Sequence, residues 1–473
     1  MKKVVLLPIG AHSPHLESTL AIAQSNFGNE HVIFLSCSGK GETCIYNPVG
    51  NAIVCSYCKY RTKKAISKYK GKFELKEVGF THNTSTNFSY NTLESLKQIT
   101  YKDVSIGYAA LSTYISLTRQ SVINFENKNV RKVIDSFLRT SISQTQFLKP
   151  FIECEEIGEI LLFNGRLNNS RPMLDLAKHY DISFKALEVT GVENYVIHFD
   201  NCLPHDLKMN NHLIEELWEN SSTVKAIDIA TSFYHNRASA VVTNESSYVS
   251  NQKGNLLPIE WDPKSRNIVI FNSSEDEFLS IGKEYEGGLF ERQIDGLRFI
   301  SEFSKQDKSQ TYYLRIHPNL INTQKDVLQS LHSLAHSNFI VVNEDSNISS
   351  YELLKNCDKV VIFNSSMGAE SAFWGKPTIL LCPTFYRDLE ITYNPKSINE
   401  LSNYLGGKLE PKEKLGAYKM ALFWLKAGYQ VEGFTRKGTK EYLFNYYKLD
   451  NILMSFIRGY ASKVRRVFLQ KLS

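Results

Sequence analysis

The sequence lacks an apolar run long enough to cross a membrane, and it lacks a strong excess of either charge. A membrane-spanning helix needs about 20 consecutive apolar residues, and no stretch approaches that length. The 55 basic and 49 acidic side chains give a net charge of +6, far below the excess expected of a dedicated nucleic-acid binder. The basic start meets Pro8 too early for the apolar core of a secretory signal. We therefore expect a cytoplasmic protein that binds no nucleic acid.

Internal repeats and low-complexity tracts are also not evident, and the hydrophobic content of 42% is that of a globular protein. A chain of 473 residues is too long for one hydrophobic core, so two or three domains are expected.

The strongest local pattern spans residues 360–380. An apolar run at 360–363 predicts a buried parallel strand, a polar turn containing Ser365 and Ser366 follows, and a helical pattern then runs over 367–374. Such a strand–turn–helix unit collects free backbone N–H groups and the positive helix end, which favours phosphate. Glu370 lies one helical turn further on and is predicted to accept hydrogen bonds from sugar hydroxyls.

A second stretch, 312–320, places Arg315 and His317 at the end of another predicted strand. Because ligands bind at the carboxyl ends of strands in an open parallel sheet, these side chains and the serine turn are expected to converge on a diphosphate or phosphodiester. The alternative is an ordinary strand–helix unit in which Ser365 only caps the helix. The strand predicted at 267–271 ends in the same way, in a polar loop that contains Ser273 and Ser274.

The first part of the chain follows the same strand–loop–helix rhythm. A strand predicted at 4–9 opens into a loop with His12 and His15, which are either contacts in a site or idle surface histidines. A strand at 157–163 ends in Asn164-Gly165-Arg166. Glu188 ends the next strand in the equivalent position. A structural salt bridge between Arg166 and Glu188 explains that pattern nearly as well as a site does.

Four of the eight cysteines follow the second predicted strand, at Cys37, Cys44, Cys55 and Cys58. In a reducing compartment this grouping favours structural zinc over disulfides. The irregular spacing leaves free thiols or a redox-labile pair as the alternative. The segment that contains these four cysteines is expected to be structural rather than catalytic.

The predicted fold class is α/β with two doubly wound domains, at 1–250 and 267–412, joined by a polar linker and followed by helices at 413–473. The first domain carries a helical insertion over 59–150. From Arg458 onward the terminal helix combines five basic residues, including Lys471, with apolar ones and contains no acid. This pattern is typical of a helix that lies on an anionic membrane surface. A solvated helix packed on its own domain is the alternative.

The motifs resemble those of bacterial capsule and O-antigen glycosyltransferases of the GT-B type, a group that includes Kdo transferases, polysialyltransferases and glycerophosphotransferases. GT-B enzymes consist of two Rossmann-like domains. The resemblance covers most of residues 157–386, while the first 150 residues match less well. It rests on FNGR at 163–166, FNSSEDEF at 271–278, RIHPN at 315–319, SYELL at 350–354 and the NSS-x-G-x-E-x-x-x-x-GKP pattern at 364–377.

The resemblance implies a donor nucleotide, CMP- or UDP-linked, held by the second domain. It places His317, Ser365 and Ser366 on the phosphate and Glu370 on the ribose. No cofactor is implied for catalysis. The acidic-acidic-Gly base motif of polysialyltransferase-like members is absent here, so Glu188, His12 and Asp200 are the candidate bases, in that order.

The sequence thus predicts a glycosyltransferase that moves a sugar from a nucleotide donor to a lipid-linked or growing surface glycan. Asn164 and Arg166 are the predicted acceptor-side residues, and the terminal helix is the predicted contact with the inner face of the membrane. The alternatives are a nucleotide-sugar 2-epimerase or a glycerol-phosphate transferase on the same fold. A non-enzymatic module that binds zinc and nucleic acid is a third reading, which the modest net charge disfavours.

Overall fold

A computed structural model shows the chain as two compact units, one formed by Met1–Asp206 with Gly428–Ser473 and the other by Leu207–Ala427. The residues that the structure describes are 3–7, 10–11, 14–80, 86–239, 252, 254–286, 288–322, 324–437, 441–470 and 472. Strands and helices are numbered along the whole chain.

The first unit is built on a seven-stranded sheet in the order β12-β6-β5-β4-β1-β2-β3. Strands β1 to β5 are parallel, whereas β6 pairs antiparallel with β5 and β12 antiparallel with β6. The central strands are buried over most of their length, as expected for a sheet covered by helices on both faces. The strands are β1 (Lys3–Leu7), β2 (Val32–Cys37), β3 (Phe73–Val78), β4 (Ile157–Phe163), β5 (Ser183–Val189), β6 (Tyr195–Asp200) and β12 (Tyr429–Gln430).

The helices of this unit include the predicted insertion, but the insertion starts later than expected because β3 belongs to the sheet. Within the predicted insertion, the third and fourth helices are separated by a turn in which Lys102 and Asp103 adopt positive φ angles of 45° and 69°. The helices are α1 (His15–Phe27), α2 (Ala52–Ile66), α3 (Leu93–Lys97), α4 (Ile106–Thr118), α5 (Lys128–Cys154), α6 (Arg171–His179) and α15 (Ile452–Gln470).

The terminal segment is not wholly helical, contrary to the prediction. It contains a three-stranded antiparallel sheet formed by β13 (Phe434–Lys437), β14 (Glu441–Phe444) and β15 (Tyr447–Lys448). Asn445 and Tyr446 link the last two strands with φ angles of 47° and 66°. Two successive positive φ angles are typical of a two-residue hairpin turn.

The second unit has a five-stranded sheet in the order β11-β10-β7-β8-β9, in which every pairing is parallel. Its strands are β7 (Arg266–Phe271), β8 (Gln310–Arg315), β9 (Phe339–Val342), β10 (Lys359–Ile362) and β11 (Thr378–Leu380). Its helices are α7 (Leu207–Glu219), α8 (Thr223–Ala238), α9 (Gln293–Gln306), α10 (Lys325–His332), α11 (Ser350–Asn356), α12 (Met367–Phe373), α13 (Ile398–Gly406) and α14 (Leu415–Lys426).

The unit boundaries differ from the predicted domains. Helices α7 and α8 belong to the second unit because they pack on α14. The Tyr234 hydroxyl donates to the Ala417 carbonyl at 2.7 Å, and Lys419 pairs with Glu215. The chain then returns to the first unit at Gly428. Residues 243–251 and 253 of the predicted linker at 243–266 lie outside the described residues.

The largely parallel sheet of the first unit and the parallel sheet of the second, each with helices on its faces, confirm the predicted fold class of two doubly wound domains. No helix within the described ranges is both long and apolar enough to span a bilayer.

Candidate functional site

In the second unit, predicted site residues gather at the carboxyl edge of the sheet. Strands β10, β7 and β8 are adjacent and parallel, so their following loops share one edge. These loops carry Ser365 and Ser366 after β10, Ser273 after β7 and His317 after β8. This is the edge at which open α/β sheets bind ligands.

The turn after β10 leads into α12, as the sequence predicts. Helix α12 has only seven residues, so its dipole alone is a weak anion site. Ser366 is exposed at the N-cap position of this helix, and its hydroxyl donates to Glu370 at 3.1 Å. Ser365 is buried, and its carbonyl accepts a 2.5 Å hydrogen bond from the Tyr386 hydroxyl. The buried Tyr386 therefore fixes the backbone of this turn.

Arg237 brings a permanent positive charge to this turn. It lies in the last turn of α8, and its Nη2 donates to Glu370 Oε1 at 3.1 Å, the same oxygen that accepts from Ser366. Its guanidinium is partly exposed. Sequence reasoning missed Arg237 because the predicted boundary assigned its helix to the first domain. Its position in the basic last turn of a helix gave no signal of a site.

Glu370 is fully buried, with a relative exposure of 0%. Its second oxygen accepts a hydrogen bond from the Tyr351 hydroxyl, so the carboxylate is shared among Arg237, Ser366 and Tyr351. Burial without partners would be costly for a charge, and these three partners offset that cost. In this arrangement Glu370 positions Arg237 and Ser366, and the predicted ribose contact would require its carboxylate to be uncovered.

The backbone N–H of His317 donates to Asn272 Oδ1 at 2.8 Å, which ties the loops after β8 and β7 together. The His317 Nδ1 atom accepts from the Asn319 backbone N–H at 3.1 Å. This bond places the proton of a neutral ring on Nε2, where it can donate to an anion.

Ser273 and Ser274 are both buried, and their loop is closed by hydrogen bonds. The Gln293 side chain accepts from the Ser273 backbone N–H at 2.9 Å and donates to the Ser273 carbonyl at 3.0 Å. The Ser274 hydroxyl donates to Asp276 at 2.5 Å. The two serines therefore shape this edge of the sheet, and their donor contact remains a prediction.

Arg315 does not present its guanidinium to the shared edge. It is 2% exposed and donates to the carbonyls of Ile316, Asn343 and Ser346. Burial lowers the pKa of Arg315 to about 10. The arginine therefore holds the loop after β9, and the structure does not bring it together with Ser366 as the sequence predicted.

In the first unit, Asn164 and Glu188 meet at the carboxyl edge of the sheet. Asn164 Nδ2 donates to Glu188 Oε1 at 2.5 Å, and Asn164 Oδ1 accepts from the Arg166 backbone N–H at 3.2 Å. Asn164 and Gly165 have φ angles of 61° and 93°. A Cβ at Gly165 would lie 2.5 Å from a Leu174 methyl, so this tight turn requires glycine.

Burial raises the pKa of the Glu188 carboxyl to about 7, against the lowering effects of the Asn164 hydrogen bond and the Arg166 charge. A carboxylate with this pKa is a stronger base than an exposed one and is still partly ionised at neutral pH. The first of the three predicted bases thus has the electrostatic character that general-base catalysis requires.

Phe163, at the end of β4, begins a series of contacts with His15 and Tyr46 at this edge of the sheet. The His15 ring stacks on Phe163 at a centroid distance of 3.7 Å, and its Nδ1 lies 2.8 Å from the Tyr46 hydroxyl. Burial raises the pKa of Tyr46, and the neighbouring Glu188 charge adds to this shift. Burial and then the Arg166 charge lower the pKa of His205 to about 3, so its ring is neutral at physiological pH. Tyr46 and His205 were missed because loop residues without a motif carry no signal in one sequence.

The other two predicted bases have different outcomes. His12 lies outside the described residues. Asp200 is at the opposite edge of the sheet, because β6 runs antiparallel to β5 and pairs Asp200 with Lys185 near the start of β5. The Asp200 carboxylate lies 3.2 Å from the Lys185 ammonium. The antiparallel strand was not evident from the sequence.

The four clustered cysteines are free thiols that line one cavity. Within the described part of the chain, no three His, Cys, Asp or Glu side chains are grouped so that they could hold a metal ion. Burial raises the pKa values of Cys37 and Cys44 and raises that of Cys58 to about 11, which keeps these thiols protonated at neutral pH. Structural zinc therefore stays a prediction, which metal analysis of the purified protein would test.

No protein-family model and no curated protein matches the chain. Similar solved structures include a KpsC beta Kdo 2,4 transferase of Thermosulfurimonas dismutans, with 13% identity, coverage of 56% of this chain and 80% of that chain, and a TM-score of 0.34. They also include a putative UDP-N-acetylglucosamine 2-epimerase from Listeria monocytogenes, with 9% identity, 98% coverage of both chains and a TM-score of 0.27. A glycotransferase of kitacinnamycin has 10% identity, covers 99% of this chain and 95% of that chain, and has a TM-score of 0.19.

The solved structures that resemble this chain thus include Kdo transferases, the group that the sequence motifs resemble, and other glycosyltransferases. These identities and TM-scores are low, so the activity has to be argued from the residues.

Proposed function

We propose that this protein is a glycosyltransferase that moves a sugar from a nucleotide-activated donor to a lipid-linked or growing surface polysaccharide. The observation that carries the proposal is the Glu188 carboxyl, whose pKa is raised to about 7 at the carboxyl end of β5. A general base with this pKa suits the removal of a proton from a sugar hydroxyl near neutral pH.

In the proposed reaction the acceptor hydroxyl oxygen attacks the anomeric carbon of the donor sugar. The Glu188 carboxylate accepts the proton of that hydroxyl as the new bond forms. The bond from that carbon to the nucleotide phosphate breaks, and its electron pair leaves with the phosphate oxygen. The hydrogen bond from Asn164 orients the carboxylate.

The second unit is proposed to hold the donor nucleotide. Arg237 supplies a fixed positive charge, while the Ser366 hydroxyl and the His317 Nε2 proton supply hydrogen bonds to phosphate oxygens. The Arg237 charge supports a leaving phosphate directly, so we expect catalysis that does not depend on a metal. A CMP- or UDP-linked sugar is the expected donor.

The terminal helix α15 supports a peripheral contact with the inner face of the membrane. Phe456, Tyr460, Lys463 and Val467 follow the i, i+4, i+7, i+11 spacing that places them on one helical face. Phe456 is 73% exposed, and Tyr460 and Val467 are also exposed. Basic and aromatic side chains on one exposed face are typical of helices on anionic lipid.

The other face of α15 packs on the first unit, as the alternative predicted. Arg458, on this packing face, pairs with Asp450. Burial lowers the pKa of Arg465, whose charge lies near Tyr46. Lys471 lies outside the described residues. The helix therefore has both an internal packing role and a free basic face that a membrane could contact.

The test is a thermal-stability screen of nucleotide mono- and diphosphates, because a ligand that binds only the folded state raises its melting temperature. We expect stabilisation by a cytidine or uridine nucleotide. The nucleotide sugar that corresponds to the best hit is then incubated with and without a glycan acceptor. Transfer only in the presence of the acceptor supports the proposal. Conversion of the nucleotide sugar by itself would show an epimerase, and lack of stabilisation by every nucleotide would contradict the proposed function.

A further inference from the structure

A cavity of about 80 Å³ lies in the first unit at the carboxyl ends of three parallel strands. The last residues of β1, β2 and β3, which are Leu7, Cys37 and Val78, all line it. This is the edge at which a parallel sheet binds ligands, and it is the same edge that carries Glu188.

The wall of this cavity is predominantly apolar and contains polarizable sulfur atoms. The four thiols of Cys37, Cys44, Cys55 and Cys58 line it together with the ring of Phe80. Protonated thiols behave as small hydrophobic groups. Lys59 is the charged side chain among the described lining residues. Such a wall favours an uncharged group with an apolar end and disfavours an ammonium group.

Two glycines let the backbone approach the wall closely. Gly10 has a φ of +62°, and a Cβ there would lie 2.8 Å from the Tyr46 ring. Gly39 has a φ of +72°, and a Cβ there would lie 3.3 Å from the Cys55 Cβ. Any larger residue at either position would displace a side chain of the wall, so the shape of the cavity is determined by the backbone.

Two side-chain amide oxygens at the cavity have no hydrogen-bond partner within the described part of the chain. Gln144, on α5, is 7% exposed, and its Oε1 atom has no partner among the described residues. The same holds for Oδ1 of Asn169, which follows the turn after β4. Both residues line the cavity. Because buried polar atoms are almost always paired in native proteins, these two oxygens call for a donor group inside the cavity.

The cavity adjoins the surroundings of the proposed base. Tyr46 lines it, and the Tyr46 hydroxyl lies 2.8 Å from His15, whose ring stacks on Phe163 at the end of β4. The Glu188 charge acts on the ionisation of the same tyrosine. A group seated in the cavity would therefore fix the position of a sugar hydroxyl close to Glu188.

We propose that this cavity binds the acylamino group of an N-acylated amino sugar in the acceptor, which rests on the proposed transferase function. The acyl methyl group contacts the thiols and Phe80, and the amide N–H donates to Gln144 Oε1 or Asn169 Oδ1. A plain hydroxyl offers a donor but no apolar end. A free amine carries a charge that the apolar wall and Lys59 oppose.

The experiment measures binding of three monosaccharides, N-acetylglucosamine, glucose and glucosamine, by saturation-transfer NMR on the full chain. The wild type should show saturation of the acetyl methyl group and a preference of at least about fivefold for N-acetylglucosamine, as expected for one added hydrogen bond. Gln144→Leu should abolish this preference. It should melt no lower than the wild type, because leucine removes a buried oxygen without a partner.

Gln146→Leu is the matched control. Gln146 lies two residues further along α5 and donates to the Tyr101 hydroxyl at 3.1 Å, and it does not line the cavity. This variant should keep the preference. Equal binding of the three sugars, no binding of any of them, or a preference that survives in Gln144→Leu would overturn the proposal. The nucleotide screen on the same protein separates the two hypotheses, because nucleotide stabilisation without sugar selectivity removes only the cavity proposal.

Discussion

The carboxyl edges of the two sheets are built from different chemistry. The edge of the first unit holds Glu188, a carboxyl whose pKa of about 7 allows it to gain and lose a proton near neutral pH. The edge of the second unit holds Arg237, a permanent charge, beside the fully buried Glu370. One arrangement is suited to proton transfer and the other to the binding of an anion. The same fold therefore supports two roles through the side chains after its strands.

The largest expected effect comes from replacement of the base. Glu188→Gln keeps the shape of the side chain and removes its ability to accept a proton, so transfer should fall by about 10²–10⁴-fold. Nucleotide binding, measured by thermal shift, should stay unchanged. Asp200→Asn is the control at the opposite edge of the sheet and should retain nearly full activity. Equal losses in both variants would contradict the assignment of Glu188.

The second prediction separates binding from stability in the other unit. Arg237→Met leaves the buried Glu370 without its cation, which should reduce the free energy of unfolding by about 3–5 kcal/mol. The double variant Arg237→Met, Glu370→Met removes both charges and should recover most of that stability. Nucleotide affinity should remain low in the double variant. Recovery of both properties would show that Arg237 only neutralises Glu370.

A third, smaller effect concerns the pH dependence of transfer. The base acts when it is deprotonated, so activity should rise with pH through about 7. The Asn164 hydrogen bond stabilises the charged form of Glu188. Asn164→Gly tolerates the positive φ of this turn and removes the donor, so it should move the rising limb of the profile upward by about 1 pH unit. A downward shift would contradict the proposed contact.

The smallest effect is expected at α15. Lys463→Glu with Arg466→Glu reverses two exposed charges, each worth roughly 1 kcal/mol near an anionic surface. Co-sedimentation with anionic vesicles should decrease in a salt-dependent manner, while activity on a short soluble acceptor should persist. Neutral vesicles provide the control. Binding that is insensitive to salt and to the two substitutions would contradict a membrane role for this helix.

Much of the fold was predictable because buried parallel strands are short apolar runs with polar ends. The strand predicted at 157–163 and its Asn164-Gly165 turn occur as expected, and Glu188 lies near the end of β5 beside them. The seven-residue helix α12 also begins at the predicted serine turn. These features depend on residues that are close in sequence, and local patterns report them well.

The remainder depends on contacts between distant parts of the chain. Arg237 reaches Glu370 across 133 positions, and nothing near Arg237 in the sequence indicates that partner. Asp200 lies at the edge opposite Glu188 because β6 runs antiparallel to β5, and strand direction follows from pairing rather than from composition. The pattern at the end of β8 that contains Arg315 resembled a site, but the guanidinium instead donates to the carbonyls of Ile316 and Ser346.

The assignment of Glu188 as the base depends on the raised pKa of its carboxyl. Titration of this group in the free protein is the most direct test. Infrared difference spectra of the carboxyl stretch, recorded against pH for the wild type and Glu188→Gln, isolate this one group. We expect a carboxyl that titrates near pH 7 in the wild type and is absent from the variant. Titration of Glu188 close to the ordinary value of a glutamate, at about pH 4.3, would contradict it.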